Sequence, residues 1–246
     1  MTPDVQNILD KLDRGEPLET RQIDLIACQI AGKPVTFCVD FERDPIQRHH
    51  RRGKFYERPE LEHLRGVVKP KAVILDIGAN TGNHTLFFAM HLDAARVIPI
   101  EPNPQVYRLL IANVLVNGLR ELVELGFLGV GLSDAAAEGF AMEQRRTNLG
   151  AARMVPGQGE IATHTGDALF AGIAPDFIKI DVEGMEMQVL SGLEATIAAH
   201  QPVLLVEVDT ANDTLFKGWA EARGYGIDQT WSRYEANNNY LLRKRV

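Results

Sequence analysis

A chain of 246 residues, 45% of them hydrophobic and 24% charged, has the balance of a globular protein and the length for one sizeable α/β domain. A net charge of −7 and a pI near 5.5 argue against nucleic acid or an anionic membrane as a general partner, because both attract basic surfaces. No window approaches the roughly eighteen apolar residues of a membrane span, the N-terminus lacks a secretory pattern, and Cys28 and Cys38 form no disulfide framework, so a cytoplasmic protein is expected.

Residues 4–13 and 20–31 read as short helices, the second with Ile23, Leu25, Ile26 and Ile30 near one face and a stop at Gly32. A short strand at 35–39 follows, then a polar stretch over 41–66 with a helix at 59–65. Residues 1–66 thus form an N-terminal appendage to a main domain over 67–246. The basic run His49-His50-Arg51-Arg52-Gly53-Lys54 suits either a solvated loop or one that faces an anion.

From Val73 the pattern turns regular. Strands are expected at Val73–Ile77, 96–101, within 122–133, at 176–182 and at 202–208. Helices are expected at Asn83–His91, 104–117, 185–199 and 214–223. Apolar strands that alternate with helices mean a mostly parallel sheet covered on both faces. The closing strands, 226–231 and 239–243, are too close in sequence for a helical crossover, so one of them should run antiparallel. Residues 134–166 read as a hairpin or lid-like insertion.

The stretch VILDIGANTGNHTL, 73–86, joins an apolar strand to a glycine-rich turn and a helix. Gly78 and Gly82 let the backbone approach a ligand at the carboxyl end of the sheet, where open α/β folds bind. A dinucleotide would need glycine where Asn80 stands, and Asp76 would repel its pyrophosphate. An acid beside the turn suits a positively charged ligand with no phosphate, and S-adenosylmethionine has an amino group and a sulfonium. Glu101, 25 residues after Asp76 at the next strand end, can accept both ribose hydroxyls.

Together with IEPNP at 100–104, IKIDVEGME at 178–186 and LLVEV at 204–208, this stretch resembles the FkbM family of S-adenosylmethionine-dependent methyltransferases over roughly 55–243. The resemblance implies a class I, Rossmann-like fold: a seven-stranded, mostly parallel sheet with helices on both faces and a terminal antiparallel strand. It implies O-methylation of a sugar, glycolipid or polyketide-type small molecule. Asp76, Gly78, Ala79, Asn80, Thr81 and Gly82 would line the methionine end of the cofactor, and Glu101, Pro102 and Asn103 the ribose. Ser133 and Asp134 would approach the adenine, with Asp167 as rival.

Methyl transfer to an alcohol needs a positioned acceptor and a proton acceptor. Alternation along 178–182 places Lys179 and Asp181 on one face, where Lys179 can pair with Asp181 or Glu207. Asp181 is the expected proton acceptor or orienting group, and cofactor neighbour. Lys179, Glu183 and Glu207 are further candidates. No metal is expected: HxH and HExxH patterns are absent, although Asp181 and Asp209 could hold a divalent ion. His84 is expected to pack on the helix surface or touch the cofactor. Phe55 and Tyr56 are expected to close the cleft, with Arg51 or Arg52 toward an acidic or phosphorylated acceptor. An NAD-dependent oxidoreductase or epimerase, or a non-catalytic cofactor-binding subunit, are the competing readings.

Overall fold

A computed structural model describes residues 1–17, 22–145, 148–157 and 159–245, with side chains excepted at 144, 145, 148–151, 233 and 234. The chain opens with α1 (Pro3–Asp13), then β1 (Asp24–Ile30) and β2 (Lys33–Val39), which pair antiparallel with Ile30 opposite Lys33. The expected helix at 20–31 is therefore a strand over its described part. Ala31 and Gly32 both have positive φ, 49° and 77°, the turn type that matches strand twist in a two-residue hairpin. Gly32 ends no helix; it completes that turn. The short helices α2 (Pro45–His50) and α3 (Arg58–Leu64) follow.

The main sheet uses β3 (Val73–Ile77), β4 (Arg96–Ile100), β9 (Phe177–Ile180), β10 (Val203–Asp209), β11 (Tyr225–Tyr234) and β12 (Asn237–Lys244). Their order is β11-β12-β10-β9-β3-β4, with β4, β3, β9 and β10 parallel and β12 antiparallel to both β10 and β11. This is a methyltransferase-like α/β fold, with six strands in that sheet instead of seven. Beyond β4, where the expected third strand of 122–133 would lie, there is one parallel bridge, Val97 to Val123. Gly126 sits in a 3-10 turn, Leu125–Phe127, and Gly129 has φ 82°, so the segment cannot stay extended.

The rest of that segment, β5 (Gly131–Leu132), joins a second sheet with β6 (Ala137–Arg145), β7 (Asn148–Pro156) and β8 (Ile161–His164), in the order β5-β8-β6-β7. The insertion is thus a hairpin, as its composition suggests.

Helices α4 (Asn83–His91) and α5 (Pro104–Val116) follow β3 and β4, α6 (Gly166–Leu169) precedes β9, and α9 (Asp213–Ala222) follows β10. The helix expected at 185–199 is two, α7 (Glu186–Gly192) and α8 (Glu194–His200), separated at Leu193. Alternation along β3 sends Ile74 into one apolar layer, with Leu86, Phe87 and Leu110, and Leu75 and Ile77 into the other, with Ile98, Ile178 and Leu190. Val5, Phe37, Phe55 and Leu61 from the N-terminal segment belong to the first layer. Each such buried side chain contributes about 1.5–3 kcal/mol, so these residues are part of the main core.

Candidate active site

The parallel strands β3, β4 and β9 end side by side, and their following turns meet. After Ile77 the backbone turns at Gly78 with φ 75°, and a Cβ there would sit 1.7 Å from the carbonyl oxygen of Asp181. Only glycine lets the two strand ends touch. The N–H groups of Gly78 and Ala79 donate to the Ile100 carbonyl at 2.9 and 3.0 Å, which ties β3 to β4. Asn80 takes a left-handed conformation, φ 51°, and its side chain accepts from Thr81 N at 2.7 Å. Gly82, φ 88°, starts α4 with a Cβ position 3.0 Å from Leu110 Cγ.

Glu101 is 7% exposed, and its two oxygens accept from Asn80 N and Asn103 N, each at 2.9 Å. Burial pushes its carboxyl up to about 7, against the pull of those N–H donors and of the Lys179 ammonium. Each oxygen keeps a further lone pair for a ligand hydroxyl. Asn103 also caps α5 through its contact with Gln105 N at 3.0 Å.

These turns line a cleft of about 610 Å³, within the range of small-molecule sites. Asn80, Glu101, Pro102 and Asn103 form one wall. Ile100, Val106 and Leu132 continue it with apolar surface, and Met142, Ala152 and Met154 from β6 and β7 close over the top. The mouth is bordered by Asp181, Val182, Glu183 and Met185. Sequence reading missed the two methionines, because the insertion shows no periodicity that identifies a cleft-facing side.

Asp76 is fully buried behind the turn instead of in the cleft wall. It stands opposite Lys179 in the β3–β9 register, so the carboxylate and ammonium face the same way. Thr85 Oγ1 donates to Asp76 at 2.6 Å, and Lys179 Nζ lies 3.4 Å from its other oxygen. The same ammonium donates to the Gly78 carbonyl at 2.8 Å and lies 3.2 Å from Asp181. Burial alone would lower the Lys179 pKa; the carboxylates of Asp181 and Asp76 outweigh it and hold the ammonium above the ordinary lysine value. Lys179 therefore pairs with Asp76 as well as Asp181, and joins the buried turn to the mouth of the cleft.

Asp181, Glu183 and Glu207 bring carboxylate oxygens within 4.8 Å of one another, a spacing that a cation could bridge. Burial, then the charges of Asp181, Glu57 and Glu183, push the Glu207 carboxyl up to about 9, so it carries a proton at neutral pH. Asn237 on β12 donates to its Oε1. Asp209 is engaged elsewhere: it caps the turn at Ala211 N, 3.0 Å, and meets Arg153 of β7 at 3.4 Å.

The remaining expected residues lie apart from the cleft wall. Ser133 packs against Gly192 of α7, and its hydroxyl donates to Asp134 at 3.1 Å. Asp167 accepts from Ala195 N and Thr196 N of α8, at 2.9 and 2.8 Å, an N-terminal cap. Phe55 is in the core, edge-on to Phe37 and Phe87, and not over the cleft. Tyr56 is half-buried beside His49, Arg52 is exposed, and Arg51 pairs with Asp24 at 2.8 Å. His84 contacts Glu57, 3.3 Å from Nε2, an acid the sequence reading passed over although it follows the two aromatics it singled out.

Residues 76–226 match the family described as Methyltransferase FkbM domain. The chain is 29% identical over 199 residues to the AMB antimetabolite synthetase AmbE of Pseudomonas aeruginosa, a match that covers 63% of this chain and 9% of that protein. It overlays a methyltransferase FkbM from Methylobacillus flagellatus at a TM-score of 0.51 with 19% identity, over 74% of this chain and 50% of the other. A candidate tRNA (m1A22) methyltransferase, Sp1610 of Streptococcus pneumoniae, solved with S-adenosyl-L-methionine, gives 0.50 with 15% identity over 76% and 73%. At these identities the overlays speak for the fold. The chain spans about half the length of the first of these structures and under a tenth of the synthetase.

Proposed function

Because the chain belongs to the FkbM methyltransferase family, with S-adenosylmethionine as its cofactor, we propose that it transfers a methyl group to a hydroxyl of a small-molecule acceptor at the mouth formed by Asp181, Glu183 and Glu207. One observation carries this reading: Asp181 lines the same cleft as Gly78 and Glu101, and Lys179 ties it to the turn between them.

The residues present fit the cofactor. Gly78 admits close backbone approach, Glu101 offers two carboxylate oxygens to ribose hydroxyls, and the apolar wall of Ile100, Val106, Leu132, Met142 and Met154 suits a flat ring. Asn80, Thr81 and Gly82 shape the methionine end; Asp76 acts on it from behind through Lys179 and the Gly78 carbonyl. Bound there, the sulfonium supplies an electrophilic methyl carbon, so the protein has to orient an acceptor and remove its proton. Asp181 is placed to receive that proton at its carboxylate. Lys179 balances the charge of Asp181 and Asp76. The proton on Glu207 removes one negative charge from a crowded group of acids and can be donated to the acceptor oxygen or to Asp181.

A small hydroxylated acceptor, of sugar, glycolipid or polyketide type, is supported by the family, by the match to part of an antimetabolite synthetase, and by an acidic mouth on an acidic chain. The test combines calorimetry with S-adenosylhomocysteine and NAD with a labelled-methyl screen over hydroxylated small molecules and tRNA. Binding of S-adenosylhomocysteine and label on a hydroxyl support the reading. Binding of NAD alone, or label on tRNA only, overturns it.

A further inference from the structure

The N-terminal segment brings one acid to the site from outside the family match, which starts at residue 76. Glu57 precedes α3 with φ 55°, a left-handed conformation that non-glycine residues hold mainly where the surroundings impose it. It occupies the N-cap of α3, yet its side chain makes no capping bond to that helix. The carboxylate turns to α4 instead, where Oε2 lies 3.3 Å from His84 Nε2, with both side chains 9% exposed. The loop is fastened there: Tyr56 N donates to Asn83 Oδ1 at 2.9 Å, Asn83 Nδ2 donates to Tyr56 O at 3.2 Å, and His50 Nε2 is 3.1 Å from the same Asn83 oxygen. His84 is the second residue of α4, directly after the cofactor turn. The charge of Glu57 acts on both Lys179 and Glu207, so the pair stands beside the acids of the mouth.

We propose that Glu57 and His84 are a positioning pair of the catalytic centre: Glu57 orients the imidazole toward the acceptor, and its charge acts on the acids that handle the acceptor's proton. This rests on the reading of Asp181 and Glu207 as acceptor-side groups. The groups that bear on Glu207 are Asp181 and Glu183 after β9, Lys179 on β9, Glu57 before α3, and the Asn237 amide on β12. Glu57 itself faces His84.

The sign of the effect follows from proton linkage. Glu207 titrates at about 9 in the folded chain and near 4.5 when solvated, so the folded state holds a proton that the unfolded state has lost. Stability therefore falls as pH rises across that window. Without the Glu57 charge, Glu207 releases its proton at a lower pH, and the fall becomes shallower on approach to about 9.

The experiment is thermal unfolding of the full chain across this range, alongside steady-state methyl transfer. Glu57→Gln should show a smaller loss of Tm with pH than wild type, and Glu57→Asp should restore the slope. His84→Gln keeps the Glu57 charge and should keep the wild-type slope. Both Glu57→Gln and His84→Gln should lower kcat by about 10–100-fold, the range for partners that orient an acting group, with KM for the methyl donor unchanged. A Tm lowered equally at every pH in Glu57→Gln overturns the pair, as does an unchanged kcat in both variants. If wild type methylates no hydroxyl, the proposed function fails while the pH slope still decides on the pair.

Discussion

The cofactor wall comes from two short runs, 78–83 and 101–103, at adjacent strand ends, and much of its contact surface is backbone shaped by positive φ values. The acceptor side draws Glu57, His84, Asp181, Glu183, Glu207 and Arg153 from separate segments, and works through charged side chains. Backbone geometry leaves little room for substitution, because a new Cβ collides. Charges can be exchanged without disturbing the fold, so the acceptor side is where a chain of this kind can change what it acts on. The two halves should therefore fail differently when altered.

The largest effect is expected from Asp181→Asn, which should lower turnover roughly 10²–10⁴-fold if Asp181 accepts the proton. S-adenosylhomocysteine affinity by calorimetry should stay within about threefold, under about 1 kcal/mol. Turnover near that of wild type would assign catalysis to placement alone. Gly78→Ala attacks the joint between the halves: strain at φ 75° and the collision with the Asp181 carbonyl should cost about 2–4 kcal/mol, read as a lower denaturant midpoint with cofactor binding lost. Retained stability would mean that the turn can relax.

Glu101→Gln should weaken S-adenosylhomocysteine binding by about 1.5–3 kcal/mol, the range for hydrogen bonds to a charged group. Wild-type affinity should also rise with pH through about 7, since the ionised carboxylate is the better acceptor for ribose hydroxyls. The Gln variant should be flat over that range; a parallel pH dependence in both would move the titration to another group. Smallest of all, Arg52→Ala should change stability and cofactor affinity by less than about 0.5 kcal/mol, as for an ordinary exposed residue, and a larger loss would return the basic loop to the cleft.

The cofactor half was legible because its signals are local. Gly78, Asn80 and Gly82 stand in one turn, and the bounds of β3 and α4 agree with the expectation residue for residue. Harder to read were features decided by distant contact. Ile23, Leu25, Ile26 and Ile30 fall on a helical stripe, but pairing with β2 and the Ala31-Gly32 turn make a strand there, with Leu25 outward and 61% exposed. Phe55 and Tyr56 look alike in sequence as cleft-closing aromatics; the core already held a place for Phe55 between Phe37 and Phe87. Glu57 carries no local mark, since its role comes from meeting a helix 27 positions away. The reach of Met142 and Met154 over the cleft depends on how the second sheet is laid against the first, which no periodicity encodes.

Where the third strand contracts to one rung at Val97 and Val123, the outer side of β4 would otherwise be a row of unpaired amides ready to recruit another chain. Val97 N donates to Leu122 O and Glu124 N to Val97 O, both at 2.9 Å, and the ion pair between Arg96 and Glu124 sets charge on the same margin. At the opposite margin, β11 is long but irregular, with register shifts after Ile227 and after Trp231 and a pair between Asp228 and Arg243 at 3.0 Å. Both ends of the sheet are thus poor templates for a foreign strand, and protection from edge-to-edge aggregation is a consequence of the same contraction that cost the sheet its seventh strand.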